Sequence, residues 1–159
     1  MKLAYELEDY VGLVKSAKSK LKQRSGSLQY DEAVALFAYY TKKAIDFFGI
    51  DSSWDIELMT DCTEEGACVN FIARYLHADI SFNPEYFRNH PSEIIQAAVH
   101  EVAHIFLHKI HGFLQVLPEE YSEDYHPFNR YYVDAFEEMA TRLERLFYRH
   151  VENKNGDKD

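Results

Sequence analysis

Between Pro91 and Gly112 the chain carries a segment that is apolar nearly all the way round: Ile94, Ile95, Ala98, Val99, Val102, Ala103, Ile105, Phe106 and Leu107 leave almost no polar face. At helical spacing such a segment has to be a buried helix, expected from about Pro91 to Lys109 or His111, so the rest of the chain must supply layers that cover it. The same helix holds His100, Glu101 and His104. A desolvated imidazole or carboxylate costs on the order of a few kcal/mol unless it is satisfied, so these polar groups need a partner. His100 and His104 lie one turn apart on one face, with Glu101 beside them. This is the pattern H-E-x-x-H, in which two imidazoles can reach one ion.

The flanking sequence predicts what covers that helix. Tyr10, Val11, Val14, Ala17 and Leu21, with Leu3 and Leu7 ahead of them, form a helical stripe that breaks at Ser25-Gly26-Ser27. A second helix is expected from Asp31 as N-cap, through Val34, Phe37, Tyr40 and Ile45, to a stop at Gly49. The period then changes to two. Trp54, Ile56 and Leu58 alternate with Asp55, Glu57 and Met59, and Cys68 to Tyr75, with Val69, Phe71 and Ala73 on one face, and Ala78 to Phe82, with Ile80 and Phe82, give two more strand candidates. These predict a small antiparallel sheet of about three strands. Asn83-Pro84 ends the third strand, and Pro91 suits the first turn of the buried helix. Residues 113–130, rich in Pro, Glu and Tyr, read as a long connection of the kind that forms a lid or wall of a site. A last helix is expected from about Tyr131 to His150, with Tyr132, Phe136, Met139, Ala140, Leu143, Leu146 and Phe147 on one stripe, before a polar tail.

The fold class expected is therefore α+β, a single domain over residues 1–152 with residues 153–159 as a disordered tail. A chain of 159 residues can bury a core without staples. Cys62 and Cys68 flank a turn and are read as unpaired thiols. With 17 basic against 27 acidic residues and a net charge of −10, binding to nucleic acid or an anionic membrane surface is disfavoured. With no long apolar span and no leader-like start in the sequence, a cytoplasmic location is expected.

The residue types of the motif suit zinc chemistry. Three protein donors hold Zn²⁺ and leave a fourth position for water, and Glu101 stands where it can take the water's proton as general base. Peptide hydrolysis on a protein or peptide substrate is the expected reaction. The third donor has to come from elsewhere, because Leu107 and Ile110 exclude the H-E-x-x-H-x-x-G-x-x-H arrangement. Asp134, Glu137, Glu138 and Glu144 of the last helix are the candidates. At about 100° per residue, Glu137 falls on the flank of the apolar stripe, Glu144 falls two turns along the same flank, and Glu138 and Asp134 point away. Glu137 is the preferred donor and Glu138 the next choice. His108 is read as a satisfied histidine near the helix end. Tyr121, Tyr125 and His126 have donor chemistry but suit packing as well.

The segment His100-Glu101-Val102-Ala103-His104-Ile105-Phe106-Leu107-His108, followed by Glu137-Glu138-Met139-Ala140-Thr141-Arg142-Leu143, resembles the small zincin metallopeptidases with a glutamate third ligand. The resemblance covers roughly residues 80–147. It is closest to the ImmA/IrrE group, with H-E-x-x-H-x-x-x-H and a helix of the form E-x-x-A-N-x-F-A, and to small phage-encoded metallopeptidases. Thr141 departs from the usual Asn, and Leu143-Glu144 replaces Phe-Ala. The resemblance implies a zincin-like domain, zinc held by His100, His104 and Glu137, and Glu101 as catalytic base. Strand addition of the substrate along the edge strand, taken as Ala78 to Phe82, completes the expectation. The competing reading is a non-enzymatic acidic interaction protein with a structural or vestigial metal site.

Overall fold

In the computed structural model, which describes residues 2–3, 9–23, 27–63, 66–108 and 127–156, the apolar helix occupies the centre. The order of elements is β1 (Lys2–Leu3), α1 (Tyr10–Gln23), α2 (Tyr30–Phe48), β2 (Asp55–Met59), β3 (Ala67–Ile72), β4 (His77–Phe82), α3 (Pro84–Asn89), α4 (Ile94–Phe106) and α5 (Pro127–Gly156). Single 3₁₀ turns at Ala73–Tyr75 and Pro91–Glu93 precede β4 and α4. The α+β class expected from the sequence is what the chain adopts. No helix among the described residues is long and apolar enough to cross a membrane.

The sheet is mixed, with strand order β1-β2-β4-β3. β3 and β4 form an antiparallel pair, Val69 opposite Ile80, whereas β2 and β4 run parallel with Leu58 opposite Ile80. β1, a two-residue strand, lies parallel to β2. The expected all-antiparallel sheet is thereby corrected. Alternation reports only which face a residue takes, and it has the same period of two in parallel and antiparallel strands. The edge strand is corrected as well. Residues 78–82 belong to β4, which is paired on both sides, and the strands at the edges of the sheet, among the described residues, are the two-residue β1 and β3. Burial follows this order: Ala78, Ile80, Ser81 and Phe82 are all buried, while β3 alternates between half-buried and exposed.

One face of the sheet carries Ile56, Leu58, Ala78, Ile80 and Phe82 into a core shared with Val34, Phe37, Val99, Val102 and Ile105 of α2 and α4. Phe37 stacks on Phe82 with ring centroids 4.1 Å apart, a pairing worth about 0.5–1.5 kcal/mol beyond its buried area. The opposite face is polar: His77 lies 3.0 Å from Asp79 and 3.5 Å from Asp55. Cys62 and Cys68 are both outside any disulfide.

Helix ends follow local chemistry. Asp9 caps α1 by accepting the Gly12 N–H at 2.9 Å. α2 starts one residue before the expected N-cap Asp31, because Gln29 and Glu32 form a capping box. It stops at Gly49, which takes the left-handed conformation (φ 65°) and returns its N–H to the Ile45 carbonyl. Asn83 does more than end a strand. It accepts the Tyr86 N–H at 3.1 Å and, with Pro84 in the first turn, starts the short α3. α5 begins at Pro127, inside the stretch read as a loop, and its backbone stays helical to Gly156, into the stretch read as a tail. Residues 109–126 and 157–159, with most of the loop and the end of the tail, lie outside the described residues.

Glu32 also joins α1 to α2. Its buried carboxylate accepts Ser16 Oγ at 2.5 Å, Lys20 Nζ at 2.6 Å and the Gln29 N–H at 2.7 Å. Burial pushes its pKa up, but the Gln29 N–H, Lys20 and Ser16 together outweigh burial and hold it below the ordinary 4.5. A depressed folded pKa contributes stability above the unfolded value, and that stability is lost as pH falls through the folded one. Glu32→Gln is expected to cost about 1.5–3 kcal/mol at neutral pH. The cost should shrink as the pH falls below 4.5, since the wild type then loses the same charge. Urea unfolding across that range checks it, and a pH-independent cost would count against the ionised role.

Candidate metal centre

α4 and α5 pack side by side, and the three donors meet in the seam. From α4, His100 and His104 place their Nε2 atoms 3.0 Å apart. From α5, Glu137 puts Oε2 3.1 Å from His100 Nε2 and Oε1 3.5 Å from His104 Nε2. One donor atom from each residue lies within 4.8 Å of the others, so the three could hold a metal ion. The spacing is apt: donors at about 2.1 Å from a tetrahedral ion stand about 3.4 Å from one another.

Burial grades across the cluster. The His104 side chain is 9% exposed, His100 23% and Glu137 51%, so the donors run from the core to the opening. Phe136 stacks on the His104 ring at 4.8 Å and holds it from one side. Beside the donors is a cavity of about 430 Å³, walled by Ala67, Cys68, Val69 and Phe71 of β3 and by Tyr132, Val133 and Phe136 of α5. His100, Glu101, His104 and Glu137 line it too. The ionisable lining is thus confined to His100, Glu101, His104 and Glu137, and the remaining wall is largely apolar.

Glu101 is buried, at 7% exposure, and accepts a hydrogen bond from the Val69 backbone N–H of the edge strand. Its pKa is pushed up to about 7, chiefly by burial and then by the Glu137 charge, with the Val69 N–H opposing. A carboxylate that is adjacent to the donors, outside the donor set and tethered to the edge strand can exchange a proton with a group in the cavity.

Of the other residues singled out from the sequence, Glu138 points to solvent and pairs with Arg142 at 2.5 Å, both more than half exposed. Asp134 is exposed on α5. His108 lies apart from the donors: its Nδ1–H donates to the Ile105 carbonyl at 2.9 Å and its ring meets Trp54 edge-on at 4.8 Å. Tyr121, Tyr125 and His126 lie outside the described residues.

Glu144 holds a place that the sequence reading did not assign it. Only 6% exposed, it stands with Oε2 3.8 Å from His100 Nδ1, on the far side of that ring from Glu137. Burial pushes its carboxyl up, and the charges of His100 and Arg145 with the Gln96 and His100 side chains oppose this. The buried line of α5 is Phe136, Ala140, Glu144 and Phe147, while Leu146 is 51% exposed. The packed face is therefore turned toward the glutamates from the stripe centred on Phe136 and Leu143. A stripe drawn from apolar residues alone omits a charged residue in the core, and the available clue was the seven-residue spacing from Glu137 to Glu144. No known protein family matches the chain, and neither a curated protein nor a solved structure matches it.

Proposed function

We propose that the chain is a zinc-dependent metallopeptidase with a minimal zincin-like domain, in which His100, His104 and Glu137 hold the ion and Glu101 is the general base. The observation that carries this reading is the convergence within 4.8 Å of three donor atoms from residues spread over 37 positions of sequence, with a second carboxylate, the buried Glu101, beside them. A purely structural site would need no Glu101 and would close its last position with another Cys or His. Zinc bound there would polarise a carbonyl and lower the pKa of water on its open position.

The protein's own groups do the rest. Glu101 receives the proton of the attacking water and passes it to the departing amine. The Val69 N–H aims the carboxylate, so the base and the wall of the cavity are set by the same strand. Alternation along β3 turns the backbone groups of Ala67, Val69 and Phe71 outward, away from β4. With the Val69 N–H taken by Glu101, an extended peptide would lie along that edge through the Val69 carbonyl and the Ala67 backbone and place a side chain in the cavity. Phe71, Tyr132, Val133 and Phe136 favour a large apolar side chain next to the scissile bond.

The test is metal analysis of the purified chain, followed by chelation, zinc re-addition and a peptide-library assay. About one zinc per chain is expected, with cleavage beside large apolar residues that chelator abolishes and zinc restores. A chain that takes up no zinc sinks the site. Zinc bound tightly with no turnover on any peptide or unfolded protein would favour the non-enzymatic interaction protein.

A further inference from the structure

The buried line of α5 that packs toward α4 has Glu144 as one of its four members, between Ala140 and Phe147. An apolar side chain of similar length would fill that position without desolvating a charge, so a carboxylate there needs a partner inside the protein. Gln96 supplies one hydrogen bond, and the ion-pair partner within reach is His100 Nδ1, 3.8 Å from Glu144 Oε2. The other nitrogen of the same ring, Nε2, faces Glu137 at 3.1 Å. Glu137 and Glu144 are seven residues apart, two turns that return to within about 20° on the helix. One line of α5 therefore presents two carboxylates that bracket a single imidazole.

The two nitrogens have different duties. A neutral imidazole that offers the Nε2 lone pair to an ion must carry its proton on Nδ1. Glu137 alone would draw that proton to Nε2, the atom a metal needs free. We infer that Glu144 is a positioning residue that keeps the His100 proton on Nδ1 and holds the ring so that Nε2 faces His104 and Glu137. This rests on the metal reading above and adds an outer partner of the kind that orients metal-bound histidines and raises their affinity. In this arrangement the 3.8 Å separation, longer than a hydrogen bond, closes as the ring and carboxylate settle around a bound ion.

The test compares wild type, Glu144→Leu and Glu144→Gln in the full chain. Zinc affinity is measured by competition with a chromophoric chelator, thermal unfolding is followed on the metal-free proteins, and the histidine nitrogens are observed by ¹⁵N NMR near pH 8. Glu144→Leu should bind zinc about 10–100-fold more weakly, with metal-free unfolding unchanged or shifted upward. Glu144→Gln should recover part of the loss, because its amide oxygen still accepts the Nδ1 proton. In zinc-loaded protein the His100 Nδ1–H should be hydrogen-bonded and slow to exchange in wild type and exchange freely in Glu144→Leu. A merely structural role would move the unfolding temperature and leave affinity and Nδ1–H exchange alone. Equal zinc affinity in wild type and Glu144→Leu, or a freely exchanging Nδ1–H in zinc-loaded wild type, overturns this inference alone. A wild type that binds no zinc overturns the metal reading and this inference with it.

Discussion

Glu101→Gln is expected to leave metal binding intact and to lower peptide hydrolysis by about 10²–10⁴-fold, the range for removing a general base. The amide is close in size to the carboxylate and can still accept the Val69 N–H, so the buried position stays filled and hydrogen-bonded. The proposed donors, His100, His104 and Glu137, are unchanged in this variant. What the variant loses is the ability to accept a proton. The loss should therefore fall on kcat with KM little altered, read from steady-state kinetics on protein whose metal content has been measured. Full activity in this variant would remove Glu101 from the proposed chemistry, and loss of the metal would mean that it belongs among the donors.

The second large effect is expected at Glu137. Replacing it by Ala removes one of three donors and should weaken metal binding by more than the roughly 10–100-fold that follows loss of an outer partner. The fold should tolerate the change, because the side chain is half exposed and such positions usually move stability by no more than about 0.5 kcal/mol. Glu138→Ala is the matched control. Its carboxylate pairs with Arg142 on the solvent face of α5, a contact worth about 0.3–0.5 kcal/mol, and its removal should leave metal affinity where it was. Chelator competition on both variants decides the matter. An unchanged Glu137→Ala with a weakened Glu138→Ala would move the third donor by one residue.

Much of the architecture was legible because it is local. The position of α4 followed from a run of apolar residues too complete for a surface helix, and the pairing of His100 with His104 followed from 3.6 residues per turn. The stop at Gly49 followed from the conformation that only glycine takes easily. Locations for β2, β3 and β4 followed from alternation. Where the reading went astray, the information was not local. α3 was hidden because Asn-Pro serves equally as a strand end and as a helix start. Strand direction and order leave no mark on the pleat, so β4 was taken for an edge although it lies between β2 and β3. That difference bears on the proposed site, since the edge strand beside the three donor residues is β3 and its Val69 N–H holds Glu101.

The same division runs through the candidate site. From sequence alone come two histidines and a glutamate on one buried helix, together with a short set of acidic residues on a later helix, because chemistry and helical period are written in adjacent letters. Which of those acids meets the histidines was decided by how α5 is rotated against α4, and that rotation is set by packing over the whole seam. Phe136, Ala140 and Phe147 fix the buried line. Glu137 then arrives at one nitrogen of His100 and Glu144 at the other, while Glu138 is left in solvent with Arg142. The helical period already puts Glu137 first among those acids, but the place of Glu144 at the second nitrogen carries no local signal, because it depends on two helices whose facing residues, such as His104 and Glu137, stand 33 positions apart in the chain.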